Sequence, residues 1–88
     1  MAQVTMYSKF LCPFCSRAKK LLKQKGVEAM EEIDITMNSK RRSEMLARAD
    51  GAHTVPQIFI GDTHVGGCDE LFEMDRQGKL DGLLAGRT

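Results

Sequence analysis

Apolar positions along this chain change period several times, and each change marks an element. Val4-Thr5-Met6-Tyr7 is a short, mostly apolar run that reads as a strand. From Pro13 to Lys25 the spacing becomes helical, with Ala18, Leu21 and Leu22 on one face and Lys19, Lys20, Lys23 and Gln24 on the other. Gly26 is the stop signal of that helix. Val27 to Ile35 places Val27, Ala29, Ile33 and Ile35 at even spacing and predicts a second strand. Asn38 or Ser39 caps a second helix reaching about Ala49, with Met45, Leu46 and Ala49 inward and Lys40, Arg41, Glu44 and Arg48 outward. Gln57 to Ile60 and Thr63 to Val65 flank Gly61-Asp62, the signature of a tight hairpin. After Gly66-Gly67 a third helix begins, with Asp69 and Glu70 in its first turn and Leu71, Phe72 and Met74 along it, and it ends near Gly78. Leu80, Leu83 and Leu84 fit one or two closing helical turns.

The predicted order is therefore strand, helix, strand, helix, strand, strand, helix. Two strands joined by a helix pair in parallel, and the later hairpin is antiparallel. The expected class is α/β, a four-stranded mixed sheet flanked by helices on both faces.

Composition narrows the function classes. Eighty-eight residues suit a single domain spanning 1–88, and 42% hydrophobic with 28% charged residues is ordinary for a soluble globular protein. A net charge of +1, with no basic run beyond Lys40-Arg41-Arg42, argues against a nucleic-acid partner. No apolar stretch approaches membrane-spanning length, and Met1 to Val4 has no secretory-signal pattern. Three cysteines is an odd count for a secreted disulfide scaffold, so a reducing cytoplasm is the expected compartment.

Cys12-Pro13-Phe14-Cys15 carries the candidate chemistry. Proline is tolerated in a helix's first turn, so Pro13 sets the helix start and leaves Cys12 at the N-cap and Cys15 within the first turn. A helix N-terminus presents unpaired N–H groups and about half a positive charge, which favour a thiolate, the nucleophilic form of cysteine. Half of a zinc site is the bland alternative. Only Cys68, His53 and His64 remain as further ligands, without a second CxxC or a suitably spaced histidine pair, and no metal is expected. A structural disulfide is the other alternative, but closing so short a loop removes little unfolded-state entropy. Redox chemistry is the reading preferred.

Two further motifs follow. Pro56 in Thr54-Val55-Pro56 precedes a strand, where proline is tolerated; it is either a plain strand-start residue or a cis proline exposing the Val55 backbone to an approaching chain. Gly66-Gly67-Cys68-Asp69 ends the hairpin and opens a helix, where glycine permits close approach and the helix start can receive a carboxylate. Asp69 is either an ordinary capping residue or a partner for an ammonium group.

Tyr7-Ser8-Lys9, the CPFC motif, Thr54-Val55-Pro56-Gln57-Ile58-Phe59-Ile60 and Gly66-Gly67-Cys68-Asp69 occur in the order and at the spacing of the glutaredoxins. The chain resembles the short bacterial dithiol members of that family over essentially its whole length. The resemblance implies the thioredoxin fold, with a cis proline at Pro56. It implies a glutathione-dependent oxidoreductase that reduces protein disulfides and glutathione mixed disulfides, with Cys12 as nucleophile and Cys15 as resolving thiol. Glutathione is then the electron-donating co-substrate, and Lys9, Phe14, Thr54, Val55, Pro56, Gly67, Cys68 and Asp69 its contacts. Partners would be glutathione and disulfide-containing or glutathionylated proteins, and the expected state is a monomer.

The ligand's chemistry is compatible. Val55 can pair strand-like with its cysteine residue, the Cys68–Asp69 helix start suits the γ-glutamyl carboxylate, Asp69 its ammonium and Lys9 the glycyl carboxylate. Lys9 and Arg17 are candidate cations beside the thiolate. Cys68 reads chiefly as a small buried residue, with oxidative regulation as its second reading. His53 and His64 read as loop and edge-strand surface residues without a role. Two alternatives stay open: an iron–sulfur cluster-binding glutaredoxin, against which Pro13 counts, and a thioredoxin-like electron donor, against which the Pro13-Phe14 pair counts.

Overall fold

In the computed structural model, which describes residues 1–86, eight elements follow one another. They are β1 (Val4–Ser8), α1 (Pro13–Gln24), β2 (Met30–Asp34), α2 (Ser39–Arg48), β3 (Gln57–Ile60), β4 (Thr63–Gly66), α3 (Cys68–Arg76) and α4 (Leu80–Leu84). The strands form one sheet in the order β2-β1-β3-β4. β1 runs parallel to β2 and antiparallel to β3, and β3 runs antiparallel to β4. This is the mixed sheet expected of a thioredoxin fold.

All five residues of β1 are buried, because the strand is interior to the sheet and both its faces are covered. Side chains alternate across a strand, so Val4 and Met6 join one core while Tyr7 joins another. The first core packs Ala18, Leu21 and Leu22 of α1, with Leu71 of α3 and Leu80 and Leu84 of α4, against Val4, Met6, Ile58 and Ile60. The second packs Met45 of α2, with Ala49 just beyond it, against Tyr7, Ile33 and Phe59. Helices thus lie on both faces.

The second strand is shorter than its apolar spacing predicts. Only Met30–Asp34 pairs with β1; Val27 is buried in the turn after α1, and Ala29 is exposed. Even spacing across Val27 to Ile35 is the sum of a turn residue held by the core and a five-residue edge strand. The tight hairpin forms as expected, with Ile60 opposite Thr63 and Gly61 at a φ of +59°. One detail was not legible: the register shifts between Ile58 and Phe59, so that Phe59 faces His64 while Ile58 faces Gly66. Val65 is the extra residue of a β-bulge. Among the described residues, no helix is long and apolar enough to cross a membrane.

Candidate active site

Cys12 is the N-cap of α1, and Pro13 is the first helical residue. Leu11, exposed and at a φ of +55°, turns the chain out of the β1 loop immediately before it. The Cys15 backbone N–H donates to the Cys12 sulfur at 3.3 Å, and the Cys12 carbonyl accepts the first helical bond from Ser16 at 3.1 Å. The sulfur therefore occupies the place a capping oxygen normally takes, receiving one of the helix's unpaired donors. It is half-buried and lies 3.9 Å from the Val55 carbonyl oxygen. The Val55–Pro56 peptide is cis.

Cys15 is different. It is buried inside the first turn, and burial foremost, then its hydrogen bond with Cys12, pushes its thiol up to about 12. The helix places two sulfurs three residues apart in unlike surroundings, one at the surface with a donor aimed at it, the other protonated in the core.

A groove of about 320 Å³ opens beside the Cys12-bearing turn, within the usual range for small-molecule clefts. Phe14, half-exposed, forms one wall; Thr54, Val55 and Pro56 form the floor; Gly67, Cys68 and Asp69 close the far side. Seven of the residues expected to meet the ligand therefore converge from α1, the loop before β3 and the start of α3. Lys9 does not line this groove. It lies in a second cavity of about 430 Å³, together with Cys12, Cys15, Lys19 and Glu32, and in a third with Arg42. Arg17 also points elsewhere, its guanidinium 5.2 Å from the centre of the Phe72 ring, and its charge acts on Cys68. Burial pushes the Cys68 thiol up, and Arg17 only partly opposes it.

Glu70 also lines the groove. Its carboxylate accepts the Gly67 N–H at 2.7 Å, capping α3 from the third helical position. Acidic residues after a glycine pair announce a helix start, but not that this one turns back over Gly66 and Gly67. Gly66, at a φ of +113°, has no room for a Cβ: that atom would lie 2.9 Å from Glu70 Oε1. Among the described residues, no three His, Cys, Asp or Glu side chains converge as a metal site.

Comparison with known proteins agrees with this geometry. The family model described as Glutaredoxin matches residues 4–65. The chain is 51% identical over 84 residues to Glutaredoxin 3 of Escherichia coli (strain K12), covering 96% of this chain and 99% of that protein. Among solved structures it resembles the glutaredoxin of Brucella melitensis at a TM-score of 0.83 and 48% identity, over 100% of this chain and 95% of the other. It also resembles buckwheat glutaredoxin in complex with glutathione at a TM-score of 0.80 and 34% identity, over 97% and 78% of the two chains.

Proposed function

The chain belongs to the glutaredoxin family and is a glutathione-dependent thiol–disulfide oxidoreductase, and from that premise we propose how its residues divide the work. Cys12 is the attacking thiol. The observation that carries the assignment is the pair of unlike sulfurs: Cys12 is accessible with the Cys15 N–H directed at it, and Cys15 is buried and protonated.

With a glutathionylated substrate, the Cys12 thiolate attacks the glutathione sulfur. The new Cys12–glutathione disulfide forms as the substrate–glutathione bond breaks, and the substrate leaves as a thiolate that takes a proton from water. A second glutathione, as thiolate, attacks the adduct at the glutathione sulfur, giving oxidised glutathione and restoring Cys12. With a protein disulfide, the Cys12 thiolate attacks one substrate sulfur; the substrate's S–S bond breaks, its other sulfur leaves as a thiolate that takes a proton from water, and a Cys12–substrate mixed disulfide remains. Cys15 then loses its proton and attacks Cys12, releasing the second substrate thiolate and leaving a Cys12–Cys15 disulfide. High proton affinity at Cys15 gives external glutathione time to compete for the mixed disulfide.

The groove is proposed to hold glutathione. Its residues suit the peptide's parts: Val55 offers backbone for strand-like pairing, and the N–H groups at the start of α3 suit a carboxylate. Asp69 is exposed there and suits an ammonium group, and Phe14 covers the ligand's apolar portion. The buckwheat complex, a structure of the same family with glutathione bound, supports this assignment. Lys9, outside the groove but beyond Cys12, suits the glycyl carboxylate. Cytoplasmic action as a monomer on glutathionylated and disulfide-bonded proteins completes the proposal. These relatives do not favour the iron–sulfur or thioredoxin-like alternatives.

The test is reduction of a glutathione mixed disulfide coupled to NADPH through glutathione reductase, run on wild type, Cys12→Ser and Cys15→Ser. Loss of turnover in Cys12→Ser with turnover retained in Cys15→Ser is expected. Turnover persisting in Cys12→Ser would overturn the assignment of the nucleophile.

A further inference from the structure

Gln57 is one of three buried polar or charged residues among the described residues, only 3% exposed, and it belongs to no step of the chemistry above. Its side chain lies under the loop that floors the groove. The amide nitrogen donates to the Thr54 carbonyl at 2.9 Å and to Thr54 Oγ1 at 3.3 Å. Its amide oxygen lies 2.7 Å from His64 Nε2. A carbonyl only accepts, so the group facing Thr54 O must be the NH2. The oxygen then faces His64, which must present Nε2–H.

His64 is itself held. Its ring stacks on Phe59 with centroids 4.8 Å apart and planes 23° apart, and the Arg48 guanidinium lies 4.3 Å from the Phe59 ring centre. The tight hairpin sets the register in which Phe59 and His64 meet, Ile60 pairing with Thr63 one step nearer the turn. An unbroken line of contacts therefore runs from the edge strand β4, through Gln57, to Thr54. Thr54 is exposed and lies in a loop outside the sheet ladder, so the bonds from below tie its backbone to the side chain that opens β3.

We infer that Gln57, oriented by His64, is a positioning residue that pre-orders the Thr54–Val55 backbone for glutathione. The inference rests on the groove being the glutathione site. A ligand that pairs with backbone must order that backbone when it binds, and a loop ordered beforehand removes this cost. Losing the pin should therefore weaken binding of the glutathionyl group far more than it alters the nucleophile, since the Cys12 sulfur takes its shorter bond, at 3.3 Å, from its own helix and lies 3.9 Å from the Val55 carbonyl.

The test uses Gln57→Met, similar in length but without the amide, and His64→Phe, which keeps the stacking ring on an exposed position and removes the donor. Turnover of a glutathionylated peptide is followed by the coupled NADPH assay, and Cys12 is separately alkylated with iodoacetamide, which needs no groove. In Gln57→Met, KM for the peptide is expected to rise about five- to tenfold, the effect of a lost buried hydrogen bond or two. Its kcat and alkylation rate should stay within about twofold, as expected of a residue acting through the ligand's binding surface. His64→Phe should raise KM by a smaller factor, and the double variant should be no worse than Gln57→Met alone, because both act on one chain of bonds.

An unchanged KM in Gln57→Met would overturn the inference. So would kcat and alkylation falling together with KM, which indicates general loosening. Should Gln57→Met fail to fold, an unchanged KM in His64→Phe overturns it equally. Absence of glutathione-dependent turnover in wild type would instead strike the reading of the groove itself.

Discussion

Raising the pH from about 8.5 to 11 is expected to cost the reduced protein more stability than it costs the Cys15→Ser variant. Cys15 is 4% exposed, and burial foremost, with its hydrogen bond to Cys12 next, raises its thiol from an ordinary 9.0 to about 12. The folded chain thus holds this proton more tightly than the unfolded chain. Below about 9 both states are protonated and the contribution to stability is complete. Above it the unfolded chain sheds the proton while the folded chain keeps it, so stability falls until the folded thiol also ionises near 12. One proton of difference is worth about 1.4 kcal/mol per pH unit. Across the two units from 9 to 11 the loss is about 2–3 kcal/mol, a large part of a typical stability of about 5–15 kcal/mol. Tyr7 is raised as well, burial again being the first cause, and Lys25 is raised by Asp75 and Asp81. Both residues are present in both proteins, so their effects cancel in the comparison. Urea unfolding of the two reduced proteins, in half-unit pH steps at constant ionic strength and without oxygen, reads the difference directly. Parallel stability curves over that range would refute the account of Cys15 as a protonated buried thiol.

Three further outcomes are expected. Asp69→Asn should raise KM for a glutathionylated peptide about fivefold with kcat unchanged, and the effect should shrink in concentrated salt, because an exposed ion pair is screened. Gly66→Ala should lower stability by about 1–2 kcal/mol in urea unfolding, since alanine resists the left-handed backbone and its methyl group would press on the carboxylate that caps α3. Tyr7→Phe should cost about 1–2 kcal/mol, several degrees in Tm, because the hydroxyl donates to Glu44 at 2.5 Å and accepts from Arg48 at 2.9 Å.

What could be read in the chain is what acts within a turn or two of it. Ala18, Leu21 and Leu22 recur at helical spacing and form the buried face of α1. Pro13 and Cys12 fix the helix start by rules that reach only three residues ahead, and the structure has Cys12 as N-cap with the Cys15 N–H on its sulfur. Gly61-Asp62 makes the turn where such a pair must. Motif resemblance extended this reading to the family, because Thr54-Val55-Pro56 and Gly66-Gly67-Cys68-Asp69 keep recognisable residue types and spacing, and residues of both motifs line the groove.

The tertiary structure decided what depends on partners distant in sequence. Val27 to Ile35 has strand-like alternation throughout, but only Met30–Asp34 lies within pairing reach of β1. Lys9 precedes Cys12 by three residues, yet the loop carries it to a cavity other than the groove. His64 had no role in the sequence, since its contact with Gln57 spans seven residues and requires the hairpin that pairs His64 with Phe59. The Cys12 sulfur meets the Val55 carbonyl across 43 residues only because the sheet brings the end of β1 beside the start of β3. Local propensity and capping made the parts of this site, and long-range pairing with burial, which no short window of sequence contains, brought them together.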